Sequence, residues 1–135
     1  MEDFKRTMFG DIVVETVNLT RATYKEAGML KFFLKKDIMK GFRKIVIDLS
    51  QCEFIDSTFI GVLVITLKDL AKISGELRII QPVSLANTIL AMTGTFDIFN
   101  VSDTLEQALK SFEFGDSQDF SKREYVFPLK IKSMG

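Results

Sequence analysis

The chain has no histidine and no tryptophan, one cysteine, two prolines, and no excess of charge of either sign. Each absence narrows what it can do. Without an imidazole, a serine or cysteine nucleophile has no histidine base, and the common zinc and non-haem iron ligand sets cannot be assembled. A carboxylate-only Mg²⁺ site or a Ser-Lys dyad survives that exclusion, but neither has a signature here. Cys52 alone cannot form an intramolecular disulfide, which suits a reducing cytosol. It sits in a turn without a basic neighbour to lower its pKa, so no chemistry is assigned to it. Eighteen basic residues balance eighteen acidic ones, so bulk electrostatics gives no reason to expect nucleic acid or anionic lipid as partner. No apolar run approaches the roughly 18–20 residues of a membrane span. The opening Met1-Glu2-Asp3-Phe4-Lys5-Arg6 lacks the apolar core of a signal peptide. The eight glycines are scattered rather than gathered into a phosphate-cradling loop. The expectation is a cytoplasmic protein without direct membrane insertion, with no metal, no cofactor and no catalytic residue.

What is present is centred on residues 44–74. Lys44-Ile45-Val46-Ile47-Asp48-Leu49 is a β-branched run that reads as a buried strand. Turn chemistry follows in Ser50-Gln51-Cys52-Glu53, then the apolar pair Phe54-Ile55. Asp56-Ser57-Thr58 brings polar groups back together. From Thr58 onward the period changes, with Ile60, Leu63, Val64, Leu67, Leu70 and Ala71 at the spacing of a helix face. Asp-Ser-Thr ahead of such a run is an N-cap signal, because a side-chain oxygen can accept an orphan backbone N–H.

The rest of the 135 residues fits around this unit. Strands are expected over residues 3–9 and 12–17, turning at Gly10-Asp11. A helix is expected over residues 24–40, with Thr20 a possible cap, Tyr24, Ala27, Leu30, Leu34 and Ile38 on one face, and Gly41 as its stop. Its lysines read as a solvated face, and Met29, Met39 and Met92 as core filler. Further elements are a strand over 76–80, a helix over 83–93, a short strand within 96–101 and a helix over 103–112. A strand broken by Pro128 is expected over 125–131. Strands joined by helical crossovers imply an α/β single domain, with a mostly parallel central sheet and about four helices. Sites in such folds gather at the carboxyl ends of the strands, where Asp56-Ser57-Thr58 lies.

Asp48-Leu49-Ser50, Phe54-Ile55-Asp56-Ser57-Thr58 and Gly61-Val62-Leu63 resemble, in order, the STAS domain of bacterial anti-sigma factor antagonists. Gly75-Glu76-Leu77-Arg78-Ile79, Leu90-Ala91-Met92-Thr93-Gly94 and Thr104-Leu105-Glu106-Gln107-Ala108-Leu109 extend the resemblance to residue 112. It implies a STAS domain over residues 1–112 and a C-terminal extension of unassigned role over 113–135. It implies a regulator rather than an enzyme, whose serine is phosphorylated by an anti-sigma factor serine kinase and reset by a phosphatase. By position that serine is Ser57, with Thr58 the alternative, and Asp56, Ser57, Thr58 and Phe59 form the partner-binding segment. Phe59 stands where a glycine often occurs in the family, and fits either the core or a contact surface. Two competing readings remain. One is a STAS scaffold or adaptor in which Phe59 and residues 113–135 mediate assembly and Ser57 is only a cap. The other is an enzyme or nucleotide-binding protein, which no motif supports.

Overall fold

The structure, a computed structural model, describes residues 2–83 and 98–115. Chain order begins with strands β1 (Phe4–Phe9), β2 (Ile12–Val17) and β3 (Arg21–Ala22), then helix α1 (Tyr24–Met39). Strand β4 (Lys44–Asp48) and strand β5 (Phe54–Ile55) lead into helix α2 (Ser57–Ala71). Strands β6 (Glu76–Ile80) and β7 (Asn100–Ser102) and a helix at Leu105–Gly115, here α3, complete the described elements.

Five strands form one sheet in the order β1-β2-β4-β6-β7. The β1–β2 hairpin is antiparallel, turning at Gly10 with φ of 63°, a conformation glycine adopts without steric penalty. The pairings β2–β4, β4–β6 and β6–β7 are parallel, so this is the mixed, mostly parallel sheet expected from the sequence. The pleat sends alternate residues to opposite faces. Val13, Val17, Ile45, Ile47, Leu77 and Ile79 pack with Leu30 and Leu34 of α1 and with Phe59, Leu63 and Leu70 of α2. On the other face Val14, Val46 and Ile80 pack under Ala108 and Phe112 of α3.

Several expectations need correction. Met29 and Met39 are exposed rather than core filler, and Tyr24 is also exposed. The buried stripe of α1 runs through Ala27, Leu30, Leu34 and Asp37, and at 100° per residue Met29 and Met39 fall on the opposite arc. The cap of α1 is Thr23, not Thr20: its side chain accepts from the Lys25 N–H, and Glu26 closes a capping box. The Thr20 carbonyl instead accepts the N–H groups of Glu53 and Phe54, at 2.7 and 3.1 Å. Gly41 does end α1, with φ of 100°. Met92, the strand expected over residues 125–131 and all but the first residue of the helix expected over 83–93 lie outside the described residues.

Candidate functional site

Two short strands aim the two helices at one place. β3 and β5 pair in parallel, Arg21 with Phe54 and Ala22 with Ile55. Each passes through one capping residue into a helix, Thr23 into α1 and Asp56 into α2. The register therefore sets Tyr24 and Ser57, the first residues of their helices, side by side. The guanidinium of Arg21 lies over the Phe54 ring at 4.3 Å and closes the outer side of this ribbon.

Asp56 ties the arrangement together. Its Oδ1 accepts the Phe59 N–H at 2.9 Å, the N-cap bond of α2. Its Oδ2 accepts the Tyr24 N–H at 2.8 Å, so one carboxylate holds the starts of both helices. Its own N–H donates to the Ala22 carbonyl at 3.1 Å, and its carbonyl accepts from Ile60 at 3.1 Å. A carboxylate at two helix N-termini is favoured by both dipoles.

The two helix starts differ in what they leave unpaired. In α1 the Tyr24 N–H goes to Asp56, the Lys25 N–H to the Thr23 hydroxyl, and those of Glu26 and Ala27 to the Thr23 carbonyl. In α2 Asp56 takes the N–H groups of Phe59 and Ile60, and no described acceptor takes those of Ser57 and Thr58. Ser57 and Thr58 are exposed. An exposed hydroxyl thus sits beside two free donors at the positive end of a fifteen-residue helix.

Phe59 does not belong to this surface. Its side chain is fully buried among the largest residues of the main core, which corrects its place in the expected partner-binding segment. As the third residue of α2, it points down onto the sheet while Ser57 and Thr58 face solvent. The sequence places Tyr24 on the apolar face of α1 and gives no sign that its backbone N–H meets Asp56 beside Ser57. The signal was the Thr23-Tyr24-Lys25-Glu26 capping box, but only the pairing of β3 with β5 brings it here.

Cys52 is fully buried nearby, and burial, with the Asp48 carboxylate, pushes its thiol up to about 12, so it stays protonated and inert. Among the described residues no group of three or more His, Cys, Asp or Glu side chains could hold a metal ion. None of the described helices is long and apolar enough to cross a membrane.

Comparison with known proteins agrees with this geometry. The profile described as STAS domain matches residues 6–108. A Thermotoga neapolitana protein described as a candidate anti-sigma factor antagonist is 30% identical over 83 residues, covering 62% of this chain and 74% of the relative. The crystal structure of a Thermotoga maritima protein, again a candidate anti-sigma factor antagonist, superposes with a TM-score of 0.73 at 25% identity, over 82% of this chain and 94% of that one. The Bacillus cell fate determinant SpoIIAA in its phosphorylated form shares the fold, with a TM-score of 0.63 at 16% identity over 81% of this chain and 98% of its own. A ribbon feeding two helices, a shared carboxylate cap and a profile spanning most of the sequence lead to one conclusion: the chain belongs to the STAS domain family.

Proposed function

We propose that this protein is an anti-sigma factor antagonist that binds a kinase-type anti-sigma factor while Ser57 is unphosphorylated and releases it once Ser57 carries phosphate. A single observation carries the reading: Ser57 is exposed at the start of α2, beside two N–H groups that nothing described accepts. Support also comes from the relatives described as candidate anti-sigma factor antagonists, and from a neighbour in fold that bears phosphate.

The physical chemistry suits a switch. The serine Oγ would take the γ-phosphoryl group of ATP, losing its proton as ADP leaves, in a site supplied by the kinase. The dipole and free donors of α2 favour the added dianion by about 0.3–2 kcal/mol. At a separation of about 6 Å the Asp56 carboxylate would oppose it by about 1.4 kcal/mol at solvent dielectric and about 5.5 kcal/mol at an effective value of 20. Ser57 faces water, so the lower figure applies and the two effects nearly cancel. Phosphorylation therefore leaves the fold intact. At a docked interface the same dianion must be desolvated or matched by a cation, and a penalty of about 3–4 kcal/mol weakens binding by roughly 100- to 1000-fold. A phosphatase would return the protein to its binding form. In this reading Asp56 acts indirectly, by fixing the level of Ser57 against Tyr24.

The test measures binding to the cognate anti-sigma factor by calorimetry. Ser57→Asp should bind at least about 100-fold more weakly than wild type, and Ser57→Ala should bind like wild type but resist release by ATP. Equal affinities for wild type and Ser57→Asp would end the proposal. Release that persists in Ser57→Ala and vanishes in Thr58→Ala would transfer the acceptor role to Thr58.

A further inference from the structure

The outward face of α1, whose lysines are solvated as expected, is a second surface with a definite chemistry. Lys25, Lys31, Lys35, Lys36 and Lys40 are all exposed. Neither acid of the helix answers them. Glu26 is spent on the Thr23 cap, and Asp37 is buried against Arg6. Among the described residues none of the five lysines makes an ion pair. A chain of zero net charge thus presents a helix face of one sign.

Large apolar side chains stand in the middle of that charge. Phe32 is 54% exposed, Met29 52% and Met39 85%. They lie opposite the buried stripe, Phe32 at its pole, and the Lys36 ammonium lies over the Phe32 ring at 5.4 Å. One turn before Phe32 is Gly28, also exposed, where an added Cβ would meet nothing within 4 Å. A glycine inside a helix is disfavoured relative to alanine, and among the described residues no packing requires one here. It leaves a notch in the face that lets another backbone come close.

We propose that this face docks an acidic amphipathic helix of a partner protein. The partner's apolar side chains would lie along Met29, Phe32 and Met39, its backbone would pass Gly28, and its carboxylates would meet Lys25, Lys35 and Lys36. A second copy docking through the same face does not fit, because it would set five more lysines against these five. A bilayer would satisfy the charge but has no use for a notch, and a helix lying alongside uses both. Methionine suits such a surface, since its unbranched side chain adapts to the shape laid on it. The inference does not rest on Ser57: either reading can fail while the other stands.

The experiment is heteronuclear NMR on the full-length protein with three probes: a glutamate-rich helical peptide with a leucine stripe, a lysine-rich peptide with the same stripe, and vesicles containing phosphatidylserine. The acidic peptide should shift resonances of Gly28, Met29, Phe32 and Met39, and its affinity should fall at least about tenfold as salt rises from about 0.05 to about 0.5 M. Phe32→Ser and the double variant Lys25→Glu/Lys36→Glu should each weaken it at least about tenfold. Gly28→Ala separates docking from folding, because it should raise the melting temperature while weakening the peptide severalfold. Equal binding of the basic peptide, or shifts centred away from α1, would overturn the proposal. Vesicle binding that needs Phe32 and the lysines, without acidic-peptide binding, would also overturn it, in favour of a membrane surface.

Discussion

The Asp56 carboxylate accepts the backbone N–H of Tyr24 at 2.8 Å across 32 residues of sequence, while its other oxygen caps the helix it begins. A cap bond is worth about 0.5–2 kcal/mol, and a hydrogen bond to a charged group about 1.5–3 kcal/mol. Asp56→Ala loses both and should lower stability by roughly 2–4 kcal/mol in urea unfolding. Asp56→Asn keeps one acceptor oxygen but turns an amide donor toward the other N–H, so it should lose about half as much. Equal stability of the two variants would show that a neutral acceptor oxygen at this position contributes nothing and that the carboxylate charge carries the effect.

Phe59 gives a sharper test of what is core and what is surface. Its ring is fully buried, so Phe59→Ala should cost about 3–5 kcal/mol by opening a cavity. Phe59→Leu should lose far less and leave affinity for the anti-sigma factor unchanged wherever the protein is folded. Loss of affinity in a stable Phe59→Leu protein would return this residue to the interface.

The parts of this fold that were legible in the sequence are those written locally. The β-branched run at residues 44–48 reads as a strand, and Asp56 before an apolar periodic run reads as a cap, because both signals act within one turn or one strand. Where a short segment meets something distant, sequence falls silent. Nothing in Arg21-Ala22 or Phe54-Ile55 announces that they pair and so level Tyr24 with Ser57. Methionine is equally at home in a core or on an adaptable surface, so Met29 and Met39 could be placed only by the rotation of α1 against the sheet. The aromatic at position 59 was undecided for the same reason, since a one-residue change in helix start rotates it by 100°.

Glycines divide by what surrounds them. At Gly75 a Cβ would lie 2.7 Å from Cδ2 of Leu70 and 2.9 Å from the Arg43 carbonyl oxygen, between α2 and the strand that follows. Backbone on one side cannot yield as a side-chain end can, so Gly75→Ala should destabilise by about 1–3 kcal/mol. At Gly61, inside α2, a Cβ meets nothing within 4 Å, and Gly61→Ala should stabilise by up to about 1 kcal/mol. Thermal unfolding of both variants checks the pair. A Gly75→Ala protein as stable as wild type would mean that Leu70 and the Arg43 carbonyl shift freely.

Among the described residues the most pH-sensitive element lies away from Ser57. Glu15 on β2 and Asp37 on α1 are both almost fully buried, and Arg6, the cross-strand neighbour of Glu15, reaches both. Its Nε is 2.6 Å from Asp37 Oδ1 and 3.8 Å from Glu15 Oε2, and its guanidinium also lies 5.3 Å from the centre of the Phe42 ring. One cation cannot neutralise two carboxylates in such surroundings. Burial, then the hydrogen bond and charge of Asp37, push the Glu15 carboxyl up to about 9 against the partial opposition of Arg6. Glu15 is therefore protonated at neutral pH, and the close contact of Arg6 is with Asp37. Between about 4.5 and about 9 the folded protein holds this proton and the unfolded chain does not. Stability attributable to Glu15 is thus whole below that window and falls as pH rises through it, by at most about 1.4 kcal/mol per pH unit. Glu15→Gln keeps the shape and a donor but cannot ionise. Its stability should be flatter than wild type across the window and exceed wild type at its alkaline end. Urea unfolding from pH 5 to 9 decides the matter, and parallel curves for the two proteins would place the buried proton elsewhere.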